Sequence, residues 1–257
     1  LIKHEIKALK HLGQHFLTDE SVIQKIVDAI LVIENKGKII EIGPGTGAIT
    51  GQLLEHYGQR LHLAEIDQRS VEVLAQKFQL QANRFCGDFL QLNIKEFADN
   101  ASIFIVGNLP YNIGSQILFR VLDNREWVHQ CVFMLQKEVA ERICSAPGNK
   151  DYGILSVLLQ SFFKCEYLFT VGEDAFVPPP RVKSGVMRLD LLEEPRIKSE
   201  PAFFKTVVKT AFNQRRKTLR NSLKSMMKPG MDDLPFAGLR PEQLSVEQFD
   251  TLCVFLR

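Results

Sequence analysis

Asn108-Leu109-Pro110-Tyr111 is the stretch whose residue types can act on a nucleobase. An exocyclic aromatic amine is a poor nucleophile because its lone pair is conjugated into the ring. Acceptors that draw on its N–H bonds free that pair. Asn108 offers one carbonyl in its side chain, and the Leu109 carbonyl precedes a residue without an N–H, so the bond to Pro110 leaves it free of that amide. Tyr111 adds a flat face on which a base can stack. The same four residues also describe a strand ending in a proline turn with an Asx-type cap, so their surroundings must decide.

The elements around them supply that context. Ile103-Phe104-Ile105-Val106-Gly107 is a β-branched apolar run and reads as a buried strand, which places the tetrapeptide at the edge of a parallel sheet where α/β proteins bind ligands. Lys38 to Ile42 reads as the first strand, followed by Gly43-Pro44-Gly45-Thr46-Gly47 and a helix through Tyr57. Glycines there let a backbone approach a ligand closely. A second strand, Arg60 to Ile66, carries Glu65 near its end, close to the spacing of a ribose-binding carboxylate. A nucleoside cofactor is implied, with NAD and S-adenosylmethionine both open. Gln68 to Phe78 reads as a helix, and a short strand near Asn83 to Cys86 delivers Gly87-Asp88-Phe89. Asp88 can bond an adenine amino group while Phe89 packs on the ring. Strand and helix in alternation imply right-handed crossovers and one parallel sheet, with all four loops on one edge.

Upstream, Thr18 or Asp19 can cap a helix carrying Val22, Ile23, Ile26, Val27 and Ile30. That helix does not explain polar Gln14 and His15, which are therefore ligand candidates. Lys3, Lys7 and Lys10, with only Glu5 opposing, make either a loose basic arm or a solvated tail. Downstream, helices are expected over 113–122 and 154–163, and strands over 131–135, 166–171 and 184–191. Phe176-Val177-Pro178-Pro179-Pro180-Arg181 is a stiff loop, which either holds Phe176 toward a ligand or is a connector with Phe176 in the core. Composition shifts after Leu192: residues 193–201 read as a linker, and the remainder of the chain reads as wholly helical. Between Phe203 and Lys228 every charged residue is basic, Arg215, Arg216, Lys217, Arg220 and Lys224 among them, which is the electrostatic footprint of phosphate contacts. The expected division is 1–192 and 193–257.

Net charge is only +2, so any nucleic-acid footprint must be local. No apolar run reaches the ~20 residues of a membrane span, and the start has no signal-peptide pattern, although Leu1 in place of Met reads as a trimmed beginning. Five scattered cysteines without a Cys-x-x-Cys pair and six single histidines argue for reduced thiols and no metal site. A protein of the cytoplasm, without membrane contact, is expected.

Leu12 to Asp19, Glu41 to Gly47, Glu65-Ile66-Asp67, Gly87-Asp88-Phe89, Asn108 to Tyr111, Phe133 to Arg142, Phe176 to Leu189 and Ala211 to Leu223 together resemble the ribosomal RNA adenine N6,N6-dimethyltransferases, in particular the bacterial KsgA type. The resemblance spans nearly the whole chain. It implies an α/β fold: a Rossmann-like S-adenosylmethionine-dependent methyltransferase domain whose sheet closes with an antiparallel strand, and a small all-helical C-terminal domain. It implies cofactor contacts from Gln14, His15, Leu17, Gly43, Gly45, Glu65, Ile66, Asp88, Phe89 and Asn108, with no metal. Asn108, Leu109, Pro110, Tyr111 and Phe176 are then the catalytic set. The implied partner is small-subunit rRNA within the pre-mature small ribosomal subunit, met by a monomer, with two adjacent adenines of a hairpin loop near the 3′ end as substrates. Two residues depart from the family pattern: His15 stands where Asn is frequent, and Gly114, small enough to leave room for a bulkier amine, stands where Ser is common.

Overall fold

A computed structural model describes residues 9, 13–30, 37–231 and 233–257. The basic arm at Lys3, Lys7 and Lys10 lies outside the described residues. Two compact units partition the chain, one formed by residues up to Ala140 together with Glu166–Leu191, the other by Glu141–Cys165 together with Leu192–Arg257. This differs from the expected division, because residues 141–165 go with the C-terminal part. Their apolar helix has its partners there and not in the sheet.

The first unit is built on a six-stranded sheet. In chain order its elements are β1 (Phe16–Leu17), α1 (Glu20–Asp28), β2 (Lys38–Ile42), α2 (Thr50–Tyr57), β3 (Leu61–Ala64), α3 (Gln68–Phe78), α4 (Ile94–Ala98), β4 (Ile103–Asn108), α5 (Gly114–Asp123) and β5 (Val128–Gln136). The chain continues through α6 (Lys137–Cys144), α7 (Ile154–Gln160), β6 (Phe163–Val171), β7 (Phe176–Val177) and β8 (Ser184–Leu191). The sheet runs β3-β2-β4-β5-β8-β6, and β1 pairs with β7 in a separate two-stranded ribbon. Strands β3, β2, β4 and β5 are parallel, and β8 lies antiparallel to β5. Ile39, Ile40, Ile105, Val106, Val132 and Phe133 are all buried, because helices cover both faces of a parallel sheet. Asp19 caps α1 by accepting from the Ser21 and Val22 amides, while Thr18 donates to the Ala175 carbonyl.

The expected strand near Asn83 to Cys86 is instead a 3-10 turn, Ala82–Arg84, with one parallel bridge between Leu63 and Phe85. Arg84 explains this: its buried guanidinium donates to the Leu61 and Gly58 carbonyls and occupies the edge that a further strand would pair with. The Cys86 amide still reaches the Leu63 carbonyl, so Gly87-Asp88 arrives at the sheet's ligand edge.

In the second unit, α7 packs against α8 (Pro201–Asn213) and α10 (Val246–Leu256), and the short α9 (Leu219–Ser222) lies against α8. The basic run is not one helix. Helix α8 stops at Asn213, and Arg215-Arg216-Lys217 form an exposed turn before α9. Arg215 fixes that turn by donating to the Lys150 and Tyr152 carbonyls, and the Leu219 and Arg220 amides bond Leu239 and Ala237.

Candidate active site

Loops at the carboxyl ends of β2, β3 and β4 surround an open cleft of about 1020 Å³, mouth included, formed within the first unit. Gly43 and Gly45 turn with φ of +63° and +57°, which L side chains rarely adopt. A Cβ at Gly45 would come within 3.0 Å of the Phe16 ring, so this glycine lets Phe16 lie over the loop. At Gly107 a Cβ would stand 2.7 Å from the Ile42 carbonyl, which keeps β4 close against β2 just before Asn108.

Glu65 sits on the floor and is buried. Its carboxylate accepts from the Gly45 amide at 3.1 Å, the Ile66 amide at 2.8 Å and the Asp67 amide at 2.9 Å. Burial pushes its pKa up against those bonds. Beside it Ile66 is 59% exposed, an apolar face kept in solvent at the cleft wall. Gln14 lines the cleft while its amide donates to Asp67 and accepts from the Leu9 amide. The Arg69 guanidinium holds the Asp67 carboxyl at about 2.

Asn108 ends β4. Its Nδ2 donates to the His15 carbonyl at 2.9 Å, which turns Oδ1 away from that carbonyl as the acceptor. The Leu109 amide donates to Met134 at 2.8 Å, and Ile113 and Gly114 donate to the Pro110 carbonyl. The tetrapeptide is thus anchored on both sides, and all four of its residues line the cleft. Tyr111 Oη and Ser184 Oγ share a hydrogen bond of 2.8 Å, and the His15 ring lies 5.9 Å from the Tyr111 ring at 26°. Burial pushes the Tyr111 phenol up.

Of the residues singled out in the sequence, Gln14, His15, Leu17, Gly43, Gly45, Glu65, Ile66, Asp88, Phe89, Asn108, Leu109, Pro110 and Tyr111 all line this cleft. Phe176 does not. It is 2% exposed and packs in the core, because β7 pairs with β1 so that Leu17 faces Phe176 and both turn inward. A Cβ at Gly114 would meet nothing within 4 Å, so the room there does not depend on a glycine. Arg215, Arg216, Lys217, Arg220 and Lys224 are all exposed, but Arg215 is tied to backbone carbonyls and lies 3.9 Å from the Glu242 carboxylate. Among the described residues no cluster of His, Cys, Asp and Glu could hold a metal ion, and no helix is long and apolar enough to cross a membrane.

Glu41 lines the cleft and was not anticipated, although an acid inside the apolar run of β2 is itself a signal. It is buried, with Thr50 Oγ1 donating to it at 2.6 Å. Burial, aided by the nearby Glu65 charge, pushes its pKa from 4.5 to about 8. Folding therefore takes up a proton at Glu41 between those values, so the contribution of Glu41 to stability is full below about 4.5 and is lost as pH rises through 8. The loss from pH 5 to pH 8 is on the order of 3 kcal/mol. Thermal unfolding of the cofactor-free protein against pH should show this slope, and Glu41→Gln should flatten it; an equal slope in both proteins would count against the assignment.

A parallel sheet closed by an antiparallel strand, with a glycine-edged cleft at the strand ends and an anchored amide acceptor beside it, is a Rossmann-like methyltransferase fold. Two solved structures share it: a dimethyladenosine transferase from Plasmodium falciparum (TM-score 0.77, 22% identity, 93% of this chain and 96% of that one) and the 23S rRNA methyltransferase ErmE (TM-score 0.71, 24% identity, 94% and 99%). The family model described as ribosomal RNA adenine dimethylase matches residues 6–249, and the chain belongs to that family of enzymes. Proteins named ribosomal RNA small subunit methyltransferase A are similar along most of their length. That of Flavobacterium johnsoniae is 49% identical over 96% of this chain and 95% of its own, and that of Porphyromonas gingivalis 48% over 98% of each.

Proposed function

We propose that this enzyme transfers methyl groups from S-adenosylmethionine to N6 of two adjacent adenines in a hairpin loop near the 3′ end of small-subunit rRNA, giving N6,N6-dimethyladenosine. It works as a cytoplasmic monomer on the pre-mature small subunit and also serves subunit assembly. The observation that carries the chemistry is the Asn108 amide, whose nitrogen is held by the His15 carbonyl so that its oxygen is left to accept.

The cleft residues fit the cofactor. Positive-φ backbone at Gly43 and Gly45 lets a polar ligand approach, Glu65 suits ribose hydroxyls, Asp88 suits an adenine amine, and Ile66 and Phe89 offer apolar faces. When bound, S-adenosylmethionine supplies the methyl group on a sulfonium centre. The chain's own part is to hold the target. Tyr111 receives the adenine face, and the Asn108 Oδ1 and Leu109 carbonyl take its two amino hydrogens and return the lone pair to nitrogen. A general base is not required, because the N–H becomes acidic once nitrogen is alkylated. After the first methyl one hydrogen remains, and one of the two acceptors suffices. The exposed cations Arg216, Lys217, Arg220 and Lys224 suit phosphates, which position a substrate without reading its sequence.

The deciding assay is transfer of labelled methyl to unmethylated small subunits, naked rRNA, large subunits and DNA side by side, with nucleoside mass spectrometry. Dimethyladenosine confined to the small-subunit sample is expected. Label on large subunits or DNA would overturn the substrate, and no label anywhere would overturn the activity.

A further inference from the structure

Val177 is an exposed apolar residue on β7, outside the cleft lining but paired with a strand that contributes to it, and it has no part in the methyl-transfer chemistry. Phe16 and Val177 are directly opposed across β1 and β7, and opposed residues in an antiparallel pair stand on one face. Phe16 lies over the Gly45 loop of the cleft whereas Leu17 and Phe176 pack in the core, so Val177 shares the face that Phe16 presents to that loop, and it is 60% exposed. Pro178 and Pro179 continue the exposed strip. The strip is joined to the base platform through His15, whose Nδ1 lies 2.8 Å from the Pro178 carbonyl and whose ring stacks on Tyr111. With the carbonyl as partner, Nδ1 is the donor, which fixes the tautomer. Acids Glu173 and Asp174 precede the strip, and exposed Arg181 and Lys183 come after it.

We propose that Val177 and Pro178 form a shelf for the nucleotide next to the target adenine, with Arg181 and Lys183 set toward its phosphate. The proposal rests on the RNA substrate and adds a second subsite for it. A target held singly at Tyr111 leaves its neighbour unstacked, and single-stranded RNA is commonly held by flat or apolar side chains under its bases and cations along its backbone. The strip offers both, continuous with Tyr111. It also gives the enzyme a place for the second of two adjacent adenines while the first reacts.

The test uses the full chain, unmethylated small subunits and saturating S-adenosylmethionine. Val177→Asp should lower kcat/KM roughly tenfold, the size of one lost base contact, with the change in KM and S-adenosylmethionine affinity unaltered. Val177→Trp, which widens the shelf, should lower KM. Val254→Asp, at an equally exposed apolar position on α10, should leave both parameters within about twofold of wild type. The shelf is overturned if Val177→Asp leaves kcat/KM unchanged, if its loss is matched by Val254→Asp, or if Val177→Trp raises KM. Failure of the wild-type chain to methylate small subunits while binding the cofactor would instead overturn the substrate reading, and the shelf with it.

Discussion

Replacing Asn108 by alanine is expected to slow methyl transfer by roughly two to three orders of magnitude, the usual cost of removing one preorganised polar group from a reacting centre. Binding of S-adenosylmethionine should change by less than about threefold, because Glu65, Asp88 and the glycine loop remain and one lost neutral hydrogen bond has a modest net effect. The expectation rests on the amide nitrogen, which is already satisfied by the His15 carbonyl and so leaves the oxygen to accept. Single-turnover rates and calorimetric cofactor titration separate the two effects. Equal losses in rate and affinity would show that Asn108 merely shapes the cofactor site.

The second large effect is expected from the basic turn. Changing Arg216, Lys217, Arg220 and Lys224 together to glutamine should weaken rRNA binding by about two orders of magnitude at low salt and reduce the slope of log affinity against log salt by up to ~3. Arg215→Gln should behave differently. Its guanidinium serves the Lys150 and Tyr152 carbonyls, so the change should lower the melting temperature and leave the salt slope nearly as it was. A salt slope untouched by the fourfold change would remove this surface from the interface.

The strands that carry the site are legible because their chemistry is local. Lys38–Ile42 and Ile103–Asn108 are β-branched runs bounded by glycine or proline, and their carboxyl ends bring Gly43, Gly45 and Asn108 to one edge. Phe176 shows where such reading ends. Phe176 and Val177 differ by one position, and only the pairing of β7 with β1 decides which of them faces the core. Pairing between strands so distant in sequence leaves no mark in either segment. Phe16 is hidden in the same way beside Leu17. Arg84 is missed for another reason: nothing in Asn83 to Cys86 announces that a side chain will take the sheet edge that the backbone was expected to use. The break in the basic run has the same origin, since the carbonyls that hold Arg215 belong to residues more than sixty positions earlier.

The discontinuity of the second unit has a consequence for how the protein is made. Residues 141–165 are synthesised well before 192–257, yet α7 has Val157, Leu158 and Leu159 buried, and its helical partners α8 and α10 come from the later segment. During translation that helix emerges apolar and uncovered while the strands β6, β7 and β8 are still being added. Nascent chains and truncations ending near Leu192 therefore present a sticky helix, and the C-terminal quarter of the polypeptide acts as its intramolecular chaperone.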